Sequence, residues 1–344
     1  MKPINKTKFI VLLILSIIGA VIIGAGIWAV RFARAVENPW PSQSPGIISS
    51  KTPAPDYATP DPDSTPGITP TPDAGGDDVV VWGKDIINIL VIGYDKDEYR
   101  EGIYSVFRTD TLILATVYYN ENRVVLTSVP RDSYVPIAND FTVKDKINSV
   151  QYYAQRQNID VYGAICSTVS RLFGGVPVDY YFAIDMDVFV DVVDELGGIE
   201  YDVDVEVRYG DTVLVEKGLQ VLDGKKALDY VRFRGTAAAD IDRVARQRRF
   251  LMAAFSQLKS LDKIVKLPSI YSKVMDRIDT NLTYPQIVNL ASFAAGNLDA
   301  DAIKGKTFPG NFKQGVTYWV INQRERVHYI YELFGITVLP DEQD

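Results

Sequence analysis

The sequence predicts an α/β domain in which a mixed sheet is covered by helices. Two observations carry this. Short β-branched runs, Ile86–Ile92, Thr111–Tyr118 and Val124–Val129, come early, and longer stretches of helical periodicity follow. Turn residues punctuate the boundaries, with glycine pairs at Gly174-Gly175 and Gly197-Gly198. No internal repeat is present.

The elements follow in order. Tyr119–Arg123 joins the second and third strands as a hairpin. Lys146–Ala154 and Val161–Phe173 read as helices, the latter stopping at the first glycine pair. Val178–Ile184 returns to strand, and Val188–Leu196 is a helix closed by the second pair. Ile199–Val203 and Val213–Val215 are short strands. Asp223–Tyr230, Arg243–Leu261, Tyr284–Phe293 and Arg324–Phe334 complete the helices.

Ahead of this domain lie two segments of other character. Phe9–Val30 is 22 residues without a charge; as a helix it spans ~33 Å, against a hydrocarbon core of about 30 Å. A cleaved signal peptide would carry a shorter apolar region, so an uncleaved anchor is expected, although Ala33-Arg34-Ala35 resembles a cleavage site. Lys2, Lys6 and Lys8 precede the span and favour a cytoplasmic N-terminus. Residues 31–81 are rich in Pro, Thr, Ser and Asp and read as a disordered linker. The organisation expected is therefore a cytoplasmic tail (1–8), a transmembrane helix (9–30), a linker (31–81) and an extracytoplasmic catalytic domain (82–344).

Composition narrows the chemistry. The chain of 344 residues has net charge −8 and pI ≈ 4.9, which argues against a protein that coats nucleic acid. One cysteine, Cys166, excludes an internal disulfide and a Cys-based metal cluster, and one histidine, His328, argues against a Ser–His–Asp hydrolase. Cys166 sits in an apolar run and is expected in the core. Carboxylates, arginines, hydroxyls or a bound metal remain.

If the first three strands form an antiparallel meander, the end of the first, the start of the second and the end of the third share one edge. That brings together Asp95, Asp110 and Arg131, beside Arg108. Two carboxylates suit a hard cation such as Mg²⁺, which completes its shell with water and phosphate. Arginines suit phosphate oxygens, because the guanidinium fork matches them bidentately. A second basic cluster lies between Val231 and Phe250: Arg232, Arg234, Arg243, Arg246, Arg248 and Arg249. Arg232 and Arg234 share a face if extended, and Arg243 and Gln247 share a helix face. Arg248 and Arg249 read as a solvated face.

These motifs together resemble the LytR-CpsA-Psr family. Asn88–Asp95, Phe107–Thr111, Ser128–Asp132 with Lys146-Ile147-Asn148, Val193–Ile199, Leu222–Arg234 and Asp240–Gln247 occur in the family's order. The resemblance spans roughly residues 84–260 and implies a single α/β/α domain with a central mixed sheet. It implies a membrane-bound phosphotransferase that moves an anionic glycopolymer (teichoic acid, capsule or similar) from an undecaprenyl pyrophosphate carrier to the muramic acid C6 hydroxyl of peptidoglycan. Asp95 and Asp110 would hold Mg²⁺, with Mn²⁺ as a substitute. Arg108, Arg131, Arg232, Arg234, Arg243 and Gln247 would grip the pyrophosphate. Asp240 is the candidate base for the acceptor hydroxyl, with a structural partner for Arg243 as its alternative role. Alternatives are a lipid-linked glycan pyrophosphatase, a transferase to a wall glycoprotein, or a non-enzymatic polyprenyl-phosphate-binding envelope protein. A polyprenyl tail would need an apolar groove, for which the helices around Ile165–Phe173 and Val188–Leu196 are the candidates; the sequence does not separate such a groove from ordinary core, and core is the reading for any single residue there.

Overall fold

The computed structural model describes Trp40 and residues 47–49, 79–81, 86–94, 108–138, 140–236, 240–257, 261–298 and 300–341. The expected anchor, Phe9–Val30, and nearly all of the linker lie outside the described residues. Among the described residues no helix is long and apolar enough to cross a membrane.

Three strands open the domain: β1 (Ile86–Tyr94), β2 (Thr109–Tyr118) and β3 (Arg123–Ser128). They form the expected antiparallel meander, with Leu90 opposite Leu114 and Ala115 opposite Leu126. The turn between β2 and β3 places Asn122 at φ 49°, a left-handed position that asparagine tolerates well. Their near-continuous apolar sequences have a physical cause, since the sheet is buried on both faces.

After β3 comes a ribbon that the sequence reading missed, β4 (Tyr134–Ile137) and β5 (Asp140–Lys146). The helix expected from Lys146 instead begins with a 3₁₀ turn, and α1 covers Val150–Gln157. Then follow α2 (Val161–Leu172), β6 (Tyr180–Ile184), α3 (Met186–Glu195), β7 (Ile199–Val203), β8 (Val207–Tyr209), β9 (Thr212–Val215), β10 (Gly218–Leu222) and α4 (Gly224–Arg232). Next come α5 (Asp240–Gln257), the unforeseen α6 (Leu261–Val274), the two-residue β11 (Asp279–Thr280) and α7 (Tyr284–Asn297). The chain closes with β12 (Ile303–Thr307), β13 (Gly310–Phe312), β14 (Trp319–Ile321) and α8 (Gln323–Phe334).

The central sheet is mixed, in the order β11-β6-β1-β2-β3-β12. β6 runs parallel to β1 and β12 parallel to β3. Gly174 and Gly175, at φ 75° and 91°, end α2; Gly197 and Gly198, at φ 80° and 81°, end α3. Both pairs turn the chain where a side chain would be strained.

Each face of the sheet carries its own core. Leu90, Ile92, Leu112 and Leu114 pack against α1, α2 and α8. Ile87, Ile89, Ile113, Ala115 and Val117 face α5 and α7 instead. A third cluster joins α3, α4, α5 and α6 to the ribbon β7–β10. The arrangement is the expected three-layer α/β/α domain.

Candidate functional site

The sheet edge where β1 ends and β2 begins contains an irregularity that places Asp110. Gly93 pairs with Thr111 and Tyr94 with Thr109, so Asp110 is the extra residue of a β-bulge. Strict alternation would turn Asp110 toward the α1–α2 face, with Leu112 and Leu114. The bulge breaks the parity, and Asp110 and Thr111 both line a cavity on the opposite face.

Arg131 reaches Asp110 from just beyond β3. Its Nη1 donates to Asp110 Oδ1 at 2.7 Å, while its Nε lies 3.5 Å from Asp132 Oδ2. Lys146 Nζ donates to Asp132 Oδ1 at 2.8 Å, and the backbone N–H of Asn148 donates to the carbonyl of Arg131 at 3.1 Å. Arg131 is therefore fixed by both its side chain and its backbone. Arg234 Nη2 stands 3.8 Å from Asp110 Oδ2, which connects the second arginine cluster to the first.

The second cluster forms the other side of the mouth. Arg232 is the last residue of α4, and Arg234 follows it in extended chain. Arg243 and Gln247 come from α5. All four line the same cavity as Asp110. Arg243 is only 2% exposed, whereas Arg232 and Arg234 are exposed. The predicted i,i+4 pair on α5 meets Arg232 and Arg234 at one place, although Arg232 belongs to the end of α4 rather than to the extended segment expected for both.

Behind this mouth the cavity is almost wholly apolar, with a volume of about 570 Å³. Its wall along β2 runs from Asp110 to Val117, about 23 Å at ~3.3 Å per residue. Phe189 and Val192 of α3 with Leu196 just after it, Ala254 and Phe255 of α5, and Leu290 and Phe293 of α7 enclose it. Of the two helices that the sequence offered as groove or core, α3 lines this cavity. The other is core: Ile165, Val169 and Phe173 are buried on the opposite face of the sheet. Their periodicity signalled burial, but periodicity cannot say against which side of a sheet.

The remaining candidates divide. Arg108 is exposed at the entrance to β2, next to Thr109. Asp95 lies outside the described residues, although Tyr94, its neighbour in sequence, pairs with Thr109 and lines the cavity. Asp240 begins α5, but its side chain lies outside the described residues. Arg248 is not on a solvated face. It is half-buried against Gly305, its Nη1 donates to Thr307 Oγ1 at 2.9 Å, and burial lowers its pKa. Arg249 is exposed as expected but is tied to Asp204.

Sequence reasoning passed over two further residues that line the cavity. Asp185 lines the cavity and caps α3, accepting from the backbone N–H of Val188 at 2.7 Å; a helix cap of Asp followed by an apolar run was its available signal. Tyr94 also lines the cavity, but its ring packs against Tyr162 of α2, where burial raises its hydroxyl well above the usual range.

For a divalent cation, the donor chemistry at this edge is compatible. Asp110 offers a hard carboxylate among guanidinium groups that match phosphate, and Mg²⁺ needs only one or two protein carboxylates when phosphate completes its shell. Among the described residues there is no group of three or more His, Cys, Asp or Glu side chains that could hold a metal without such help.

Comparison with known proteins agrees with this architecture. The chain is 30% identical over 290 residues to the polyisoprenyl-teichoic acid–peptidoglycan teichoic acid transferase TagU of Bacillus subtilis (strain 168), covering 84% of this chain and 83% of that protein. It is 29% identical over 252 residues to TagT of the same organism, covering 71% and 74%. Among solved structures, B. subtilis TagV superposes with a TM-score of 0.60 at 26% identity, over 74% of this chain and 99% of that one. TagT bound to LIIa-WTA superposes at 0.57, also at 26% identity, over 74% and 92%. With the LytR_cpsA_psr family model matching residues 72–334, in addition to the bulge, the arginine mouth and the mixed sheet, the chain belongs to the LytR_cpsA_psr family.

Proposed function

We propose that this protein transfers an anionic glycopolymer from a polyprenyl pyrophosphate carrier to the muramic acid C6 hydroxyl of peptidoglycan. The observation that carries the reading is the joining of one long apolar cavity to a mouth that holds Asp110, Arg232, Arg234, Arg243 and Gln247. A prenyl pyrophosphate has the same two parts, an apolar tail and a compact polyanion. The printed names of TagU and TagT, transferases of polyisoprenyl-linked teichoic acid to peptidoglycan, support the same class of reaction.

In this reading the tail lies along β2 and the pyrophosphate rests at the mouth. Arg131, Arg232, Arg234 and Arg243 bind its oxygens, with Gln247 donating an uncharged hydrogen bond and Arg108 approaching from the entrance to β2. The acceptor hydroxyl oxygen attacks the phosphorus attached to the glycopolymer. The bond from that phosphorus to the bridging oxygen breaks, and prenyl phosphate leaves with the electron pair. Asp240 is assigned the hydroxyl proton. Asp95 and Asp110 would hold Mg²⁺, or Mn²⁺ in its place, which supplies positive charge for the pyrophosphate oxygens. The arginines stabilise charge that grows on oxygen as the bond breaks, and they do so as donors already in place. We also assign residues 9–30 as a membrane anchor and residues 82–344 as the extracytoplasmic domain, which sets the site on the side where carrier and wall meet.

The test uses the full chain in detergent, with a prenyl pyrophosphate-linked sugar as donor and a muramic acid oligosaccharide as acceptor. Acceptor-dependent release of prenyl phosphate, abolished by a chelator, is the expected result. Equal release without acceptor would make water the acceptor and the protein a pyrophosphatase. Donor binding without any turnover would make it a receptor.

A further inference from the structure

α5 carries one arginine that neither lines the cavity nor meets solvent. Arg246 is 1% exposed, so its two Nη groups depend on protein acceptors, while Nε has no hydrogen-bond partner among the described residues. Its partners lie on the segment that follows α4. Nη1 donates to the carbonyl of Phe233 at 2.5 Å, and Nη2 donates to Thr236 Oγ1 at 3.0 Å. The guanidinium carbon lies 5.5 Å from the centre of the Phe233 ring and 6.0 Å from that of Tyr230. Nε lies 3.9 Å from Asp204 Oδ1, and Asp204 is itself held by the Tyr230 hydroxyl at 2.8 Å and by Arg249.

Phe233 is the residue between Arg232 and Arg234. It closes α4 in extended conformation, φ −61° and ψ 134°. Past that point the chain leaves helical geometry, and its carbonyls need partners from elsewhere. Arg246 supplies one from the same helix that presents Arg243 and Gln247. One side chain thus connects the two halves of the arginine mouth: Arg232 and Arg234 on either side of the end of α4, and the helical pair at 243 and 247.

We infer that Arg246 is a positioning residue that sets Arg232 and Arg234 against Arg243 and Gln247 for the anion. The inference rests on the proposed pyrophosphate site. Two acceptors on one short segment are matched by the planar fork of arginine; a lysine ammonium keeps the charge but loses that planar geometry. Without the fork, Arg232 and Arg234 keep their charge and their general neighbourhood but lose their fixed direction. Misplacement by about 1 Å can cost about 10²-fold in rate.

The experiment measures kcat and KM of the full chain with a short prenyl pyrophosphate donor. Arg246→Lys is expected to lower kcat about 10²-fold, with KM changed by less than about threefold. Thr236→Val removes one acceptor and leaves the guanidinium itself in place; it is expected to lower kcat about tenfold, with a modest fall in the thermal midpoint from the donor left without its partner. Should Arg246→Lys not fold, Thr236→Val carries the test alone. Arg234→Ala is the control and should be strongly impaired. An impaired Arg234→Ala beside a fully active Thr236→Val, or a fully active Arg246→Lys, overturns the positioning role and leaves the site standing. A fully active Arg234→Ala overturns the site and the positioning role with it.

Discussion

Arg131 and Asp110 meet at 2.7 Å although they sit 21 positions apart, at the far end of β3 and the near end of β2. The side chains are 18% and 20% exposed, partly shielded from water and still open to the mouth. A bulge on one side and a backbone hydrogen bond from Asn148 on the other bring the pair together. The carboxylate is therefore aimed by the fold rather than by its own flexibility.

Arg131→Met removes a donor at the anion and one partner of Asp110. Turnover is expected to fall about 10²–10³-fold. Stability should fall by about 1 kcal/mol, since the pair is only partly buried. Steady-state kinetics and a thermal melt read the two effects separately.

Arg248 separates stability from catalysis. Its guanidinium packs over Gly305 and donates to Thr307. Arg248→Lys should cost about 1 kcal/mol of stability with little change in kcat. Arg234→Lys should do the opposite, because its charge remains and its fork is lost. Urea unfolding of the two variants beside their turnover numbers decides the matter.

The cavity makes a prediction about tail length. Ala254 lies on its wall, and Ala254→Phe would occupy room that prenyl carbons need. Affinity for a long prenyl pyrophosphate should drop about tenfold or more, as buried methylenes are displaced. Affinity for inorganic pyrophosphate should not move. Titration calorimetry with both ligands tests this.

Cys166 should be chemically quiet. Burial, with a smaller contribution from the charge of Asp160, pushes its thiol up to about 12. At pH 8 almost none of it is thiolate, so iodoacetamide should label the native chain slowly and the urea-unfolded chain fast. The sign for stability follows: the fold favours the protonated thiol, a contribution complete below the unfolded pKa and lost as pH rises toward 12.

At the crossing of α3 and α4, a methyl group has nowhere to go. A Cβ on Gly224 would stand 2.3 Å from the carbonyl oxygen of Val190, a backbone atom that cannot swing aside. Gly224→Ala is expected to destabilise the domain by about 2–3 kcal/mol, visible as a lower thermal midpoint.

Much of the site was legible because it depended on strand direction and helix spacing, both local properties. The four-residue turn after Tyr118 made β2 and β3 antiparallel, which placed Asp110 and Arg131 at one edge. The spacing of Arg243 and Gln247 put them on one helix face. What stayed hidden depends on partners distant in sequence. The bulge at Asp110 exists only once β1 is paired. Arg246 and Arg248 look like surface arginines until Phe233 and Thr307 are beside them. β12 escaped notice because Ile303 is its one fully buried residue, while Lys304 and Lys306 are exposed. α6 contains Pro268, which reads as a helix breaker.

The two outermost strands have a consequence for how copies of this domain behave when crowded. β11 contributes only Asp279 and Thr280, too short a row of backbone groups to recruit a neighbouring strand. At the opposite margin, β12 alternates exposed lysines, and Lys306 is paired with Glu332 at 2.7 Å. Among the described residues, neither margin of the central sheet therefore presents a long apolar row for a neighbouring strand to extend.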